Sequence, residues 1–280
     1  LVEGKLVESR RYQTNTFKPA YIKDKRAPDL RKPVRRMMGE RIGGELTAAE
    51  REMANLQFEL TDQIDMLNRR LEWMASQALQ GGTVTITGEG FPTTVIDFGR
   101  DSSLTVAKSG GTKWTTANIS SGAAVPTDDL DAWAQSVLKS SGAVVTDVVM
   151  TTDAFTQFKK DPILKQAMWY PGHGGNNSIE LGTQITRGAQ SKGTWGQYKL
   201  WVYNDWYVDA NNVEQPMLPS GTVILSGPDM MGTRAFGAIM DPQFAYGPMA
   251  YAPKSWVKED PAQRFLMMQS SPIVIPSRVN

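Results

Sequence analysis

Histidine occurs once in this 280-residue sequence, at His173, and cysteine does not occur. That leaves no thiolate nucleophile, no disulfide and no cysteine metal site, and one imidazole cannot form a multi-histidine zinc centre. His173 lies in the run Pro171-Gly-His-Gly-Gly-Asn-Asn-Ser178. A hydrolase would pair it with a serine such as Ser178, but a glycine loop supplies nothing rigid to orient the pair. Gly172, Gly174 and Gly175 lack the spacing of a dinucleotide loop and follow no strand-like run. Gly188-Ala-Gln-Ser-Lys-Gly193 precedes Thr194, so the lysine of a phosphate loop is misplaced. Ser136…Lys139 and Ser255…Lys258 both match S-x-x-K, without the companion motifs that give the pattern meaning. Asp128, Asp129 and Asp131 could hold a hard cation, but they also open a helix, where negative charge complements the positive end. The sequence therefore predicts no catalytic residue, no metal and no cofactor.

What remains is charge and architecture. The chain carries 30 basic and 29 acidic residues, a net +1, with 40% apolar and 21% charged positions, enough for a packed core. The near balance excludes a strongly basic nucleic-acid wrapper as the identity of the whole chain. It hides an asymmetry: residues 1–42 hold twelve basic and five acidic side chains, a net +7, so the other 238 residues sum to −6. Such a split points to one region attracting another, within a chain or between chains, with nucleic acid as the other candidate partner. No apolar run approaches the length of a membrane helix. No signal peptide is visible, and the chain opens on Leu1, which reads as a missing or processed N-terminus.

Leu6, Val7, Tyr12, Phe17, Tyr21 and Ile22 alternate with polar residues around a turn at Thr14-Asn-Thr16, predicting a long hairpin too polar to make its own core. Between Leu46 and Ala78 apolar residues recur every three or four positions, through Met53, Leu56, Leu60, Ile64, Leu67, Leu71 and Met74. Thr47 and Glu50 form a capping box and Gly81-Gly82 a stop, so one helix is expected over 47–80, about 50 Å long. Strands are expected at Thr83–Thr87 and Thr94–Phe98, then a helix from Pro126 to about Ser140 capped by Thr127. A strand at Val144–Met150 and a helix from Thr152 to about Met168 follow. Further strands fall at Lys199–Tyr203, Thr222–Ser226, Ala235–Met240 and within Phe265–Ile275. The tryptophans read as core or interface fillers. The mixture lacks regular βαβ alternation, and the fold class is α+β.

Several motifs then occur in one order: Thr87-Gly-Glu-Gly-Phe91 with Val95-Ile-Asp-Phe-Gly-Arg100, Ser109-Gly-Gly-Thr-Lys-Trp114, Pro126-Thr-Asp-Asp-Leu-Asp-Ala132, Asp260-Pro-Ala-Gln-Arg-Phe265 and Gln269-Ser-Ser-Pro272. With Phe17-Lys-Pro-Ala-Tyr21 they resemble the lambda-like major capsid protein E family, which has the Hong Kong 97-type fold. The resemblance implies an extended loop at 1–42, a peripheral domain at 43–127 carrying the long helix, an axial domain at 128–241 and a return to the peripheral domain at 242–280. It implies a non-enzymatic shell protein of a tailed phage, assembled in the bacterial cytoplasm, with copies of itself in hexamers and pentamers as first partner. A decoration protein, scaffold, portal and non-specific contact with packaged DNA are the other implied partners. Expected inter-subunit contacts are Arg10, Arg11, Tyr12, Phe17, Tyr21, Lys23 and Arg26. The spine is Leu56, Leu60, Ile64, Leu67 and Leu71, and the axial tip loop is Gly172, His173, Gly174 and Asn176. The competing reading is a nucleic-acid-binding protein that uses the basic N-terminal segment, with steep salt dependence.

Overall fold

Strand β1, Ile22–Arg26, opens the computed structural model, which describes residues 19–28, 47–88, 91–169, 178–180, 182, 187–209, 211–260 and 262–276. Helix α1, Ala48–Gly81, follows. Its start is the expected capping box: Thr47 Oγ1 accepts the Glu50 N–H at 3.3 Å and the Glu50 carboxylate accepts the Thr47 N–H at 2.6 Å. Its end is Gly82 at φ +67°, whose N–H donates to the Ala78 carbonyl. A side chain is excluded there, because a Cβ would lie 2.5 Å from Arg100 Cβ. The apolar stripe is covered only in its second half. Leu67, Leu71, Met74 and Ala78 are buried, each large side chain adding about 2 kcal/mol. Leu56, Leu60 and Ile64 are half-buried, while Met53, Phe58 and Met66 are exposed.

Strands β2, Thr83–Gly88, and β3, Phe91–Asp97, form the expected hairpin. A short helix, α2, Thr116–Ser120, leads to α3, Pro126–Ser141. The expected cap is corrected here. Val125 is the N-cap residue and Thr127 lies inside the first turn, where its N–H and Oγ1–H both donate to Asp161 Oδ2 at 2.9 Å. After β4, Asp147–Thr151, the single helix expected to Met168 is two: α4, Thr152–Phe158, and α5, Pro162–Trp169. Pro162 cannot continue a helix but suits the first position of a new one. Asp161 Oδ1 accepts the Ile163 N–H at 2.8 Å, so one buried carboxylate caps both α3 and α5.

Next come β5, Ser178–Ile179, β6, Gly188–Trp195, β7, Tyr198–Asn204, β8, Trp206–Val208, β9, Glu214–Pro216, and β10, Val223–Ser226. Four of these strands and β4 make a mixed sheet in the order β10-β4-β7-β6-β5, in which only the β4–β7 pair is parallel. Strands β8 and β9 pair separately. The register slips between Ser191 and Gly193, and Gly193 takes φ +104° with the Ser178 carbonyl 1.7 Å from where a Cβ would stand. Gly193→Ala is expected to cost about 2–4 kcal/mol by forcing β5 off β6. A lowered denaturant midpoint with an unchanged slope would register it.

The chain closes with β11, Gly232–Phe236, β12, Ala252–Lys258, β13, Gln263–Ser270, and β14, Pro272–Pro276. Strand β1 joins β13 and β12 in a three-stranded antiparallel sheet, and β11 pairs with β14. Two cores result. One joins α3, α4, α5 and the mixed sheet around Leu130, Phe158, Leu164 and Leu200, with Trp114, Trp133 and Trp195 packed on it. The other joins the end of α1, the β2–β3 hairpin and β14 around Met74, Val84, Ile86 and Ile273.

Candidate assembly surfaces

Strand β1 lies on the outer edge of its sheet, with Ile22 opposite Ser270 and Arg26 opposite Leu266. Alternation turns Asp24 and Arg26 to the side facing α1 and Lys23 and Lys25 to the other. The Arg26 guanidinium donates to Glu59 at 2.9 Å and Asp62 at 2.6 Å, one turn apart on α1, and to Asp24 at 2.9 Å. Burial works against its charge, but these three carboxylates outweigh it and hold its pKa above the ordinary value. The buried Gln63 side chain donates to the Asp24 carbonyl at 3.0 Å. Part of the basic excess of residues 1–42 is thus neutralised within the chain.

Tyr21 is also engaged at home. Its hydroxyl donates to Gln269 Oε1 at 2.6 Å and accepts the Met240 N–H at 3.0 Å. Gln269 donates to Asp241 at 3.1 Å, and Asp241 also accepts from Lys254 at 2.8 Å and the Gln243 N–H at 2.9 Å. The Lys254 hydrogen bond, with the Gln243 and Gln269 donors, lowers the Asp241 pKa from 3.8 to about 2. A depressed carboxylate stabilises the fold above its unfolded pKa, and that contribution is lost as pH falls from about 4 to about 2. The melting temperature of Asp241→Asn should accordingly fall less steeply than the parent's across that window.

Of the expected inter-subunit contacts, Tyr21, Lys23 and Arg26 lie among the described residues. The strand Ile22–Arg26 is a member of the body's own sheet, and the Tyr21 and Arg26 polar groups are taken up within the chain. Lys23 is exposed, 5.2 Å from the Tyr21 ring. Arg10, Arg11, Tyr12, Phe17, Gly172, His173, Gly174 and Asn176 lie outside the described residues. The periodicity of residues 1–26 could not separate β1 from the rest, because its partner β13 is more than 230 positions away.

Two further surfaces were not read from the sequence. Lys25 Nζ sits 4.3 Å from the Phe265 ring centroid and 5.5 Å from that of Trp256, and these two rings stack at 5.4 Å. Second, α1 meets the β7–β9 region along a polar face. Tyr203 donates to Glu72 at 2.5 Å, Gln80 to the Met217 carbonyl at 3.2 Å, and Arg69 to the Trp206 carbonyl. Asp205 lies 3.8 Å from Arg69 and 3.3 Å from Arg187, and Trp73 meets Tyr207 edge-on at 6.5 Å. Burial and then Glu72 raise the Tyr203 pKa. Arg69, Trp73 and Gln80 have gaps of 4 and 7, a second helical stripe beside the apolar one. That spacing was the available signal.

The residues weighed for chemistry disperse. Asp129 accepts from Lys108 at 2.5 Å and Trp114 at 2.7 Å, Asp131 accepts from Tyr198 at 2.9 Å, and Asp128 faces solvent. Ser136 donates to the Ala132 carbonyl. Among the described residues no group of three or more acidic or histidine side chains could hold a metal, and no helix is long and apolar enough to cross a membrane. The clefts beside Asp205 measure about 430 and 450 Å³; in the second the Ser220 hydroxyl donates to the Asp153 carboxylate, and no histidine or lysine lines either cleft to serve as a general base.

Comparison with known proteins gives one direction. The family described as Phage major capsid protein E matches residues 1–280. The chain is 29% identical over 280 residues to the major capsid protein of Escherichia phage lambda, covering 98% of this chain and 80% of that one. It is 27% identical to that of Escherichia phage N15, with the same coverage. The fold is similar to that of a crystallised prophage capsid protein of E. coli CFT073, with a TM-score of 0.73 at 22% identity over 93% of this chain and 75% of that one.

Proposed function

This chain belongs to the phage major capsid protein E family, and from that premise we propose that it acts by closing copies of itself into the icosahedral head of a tailed phage. It is a major capsid protein, a structural component of the virion. The observation that carries this is the family match along all 280 residues. The reading of the chain as a nucleic-acid-binding protein is not favoured.

In this reading the first core belongs to an axial domain around the ring centre, spanning about 128–241. The second core belongs to a peripheral domain formed by 43–127 and 242–280. The basic segments flanking β1 reach a neighbouring copy, whose body is net acidic; charge pairing sets orientation and encounter rate, and buried aromatics such as Tyr12 and Phe17 carry more of the affinity. Gly172, Gly174 and Gly175 give one sequence the backbone freedom to serve fivefold and sixfold rings. Head-to-tail contacts close into rings when the rotation permits, and many weak contacts shared over a shell suffice for stability. Assembly takes place in the bacterial cytoplasm with a scaffold and portal. A decoration protein reinforces the outside, packaged DNA touches the inside without sequence preference, and no bond-making chemistry is involved. Negative-stain imaging of the expressed chain is expected to show closed shells or capsomer rings. A population of lone monomers under the same conditions would refute the proposal.

A further inference from the structure

On α1, Arg69, Arg70 and Trp73 share the side that meets β8, and several of their donors lack an acceptor. The Trp73 Nε1–H and Arg69 Nε–H are buried without one. The Arg70 guanidinium lies 4.2 Å over the Trp73 ring, and among the described residues no acceptor reaches it. Burial lowers its pKa, as expected of a cation held out of water without a counter-charge. Beside this seam the β8–β9 hairpin exposes apolar surface: Trp206 is 48% and Val208 58% accessible. Its turn is preorganised, since the Asp209 carboxylate accepts the Asn211 and Val213 N–H groups at 2.8 and 2.9 Å. Arginine, tryptophan and tyrosine are the residue types that dominate binding energy at interfaces.

A partly accessible guanidinium fixed over a ring without an acceptor suits a partner that only accepts, which means a carboxylate or a phosphate. Net charge decides between them. Beside that guanidinium, Arg69 and Arg187 are matched by Asp205 and Glu214, so the seam keeps one unmatched positive charge, on Arg70, and has little field to attract a polyanion. A single carboxylate needs no such field. It is held by paired hydrogen bonds from a guanidinium already fixed against a ring. The same chain presents a match. Glu259 and Asp260 form the exposed turn between β12 and β13, and among the described residues neither has a partner.

We propose that the Arg70–Trp73–Tyr207 seam receives the Glu259–Asp260 turn of a second copy. Seam and turn are different patches of one chain, so the contact is head-to-tail and repeats from copy to copy. The proposal rests on the shell reading above and names one of its contacts. The test uses the full chain with Arg70→Glu, with Glu259→Lys and Asp260→Lys together, and with all three changes. Thermal melting checks the fold, and sedimentation with negative-stain counting gives particle yield. Each charge reversal is expected to lower the yield about tenfold at an unchanged melting temperature, and the triple variant to recover most of it. Should Arg70→Glu melt early, Arg70→Gln carries the same expectation. Parental yield from either reversal, or a triple variant no better than its parts, would overturn the contact. Normal yield from Arg70→Glu with reduced DNA retention would make phosphate the partner and overturn it equally. A parent chain that forms no particles would sink the shell reading first, and this contact with it.

Discussion

Asp161→Ala is expected to lower the stability of the fold by about 3–5 kcal/mol, as much as truncating a large core side chain. Three donors converge on this carboxylate: the Thr127 N–H, the Thr127 hydroxyl and the Ile163 N–H. Asp161 is fully buried and Thr127 nearly so, and water cannot replace the lost acceptor without opening the packing between α3 and α5. Each lost cap costs about 1 kcal/mol, and each donor left buried and unpaired adds about 1–3 kcal/mol. These terms overlap because they share one site, so their plain sum overstates the effect. Asp161→Asn keeps an acceptor oxygen for one helix start and should lose roughly half as much. Urea titration of the two variants beside the parent measures both. A loss under 1 kcal/mol for the alanine variant would show that the two helix starts find other acceptors.

The second large effect concerns assembly. Arg10→Glu with Arg11→Glu changes the charge of residues 1–42 from +7 to +3 while touching none of the interactions described for the body. The body keeps its two cores, its Arg26 ion pairs and its Tyr21 network, so melting of the free subunit should be unchanged. Contact with an acidic neighbour should be lost, and shell yield is expected to fall by about a hundredfold. A deficit of about 1 kcal/mol at each contact is multiplied over every subunit that must join. The defect should be worse at low ionic strength, where the introduced repulsion is least screened. Static light scattering during assembly, at two salt concentrations, follows both yield and trend. Normal shells from this double variant would remove these two arginines from the interface.

Much of the architecture was legible from local pattern. The capping box at Thr47 and Glu50 and the stop at Gly82 are each satisfied within a few residues, so neighbouring sequence defines both ends of α1. The β2–β3 hairpin was readable for the same reason. The family was readable from motifs that keep their order along the chain. Strand β6 was not legible: Gly-Ala-Gln-Ser-Lys-Gly has little intrinsic strand preference and becomes a strand because β7 and β5 pair with it on either side. The capping role of Asp161 was hidden as well, since its partner Thr127 lies 34 positions away.

By itself the sequence determined the elements whose stabilising contacts lie nearby, the absence of thiol chemistry, and the split of charge between the N-terminal segment and the rest. Tertiary structure decided where that charge goes. It placed β1 against a strand near the other end of the chain and put Arg26 on the acids of α1, so part of the asymmetry is spent inside one subunit. It also decided which half of the α1 stripe is covered and which side of that helix keeps donors without acceptors. Pairing across more than two hundred residues is set by packing the chain on itself, and no window of neighbouring side chains contains that information.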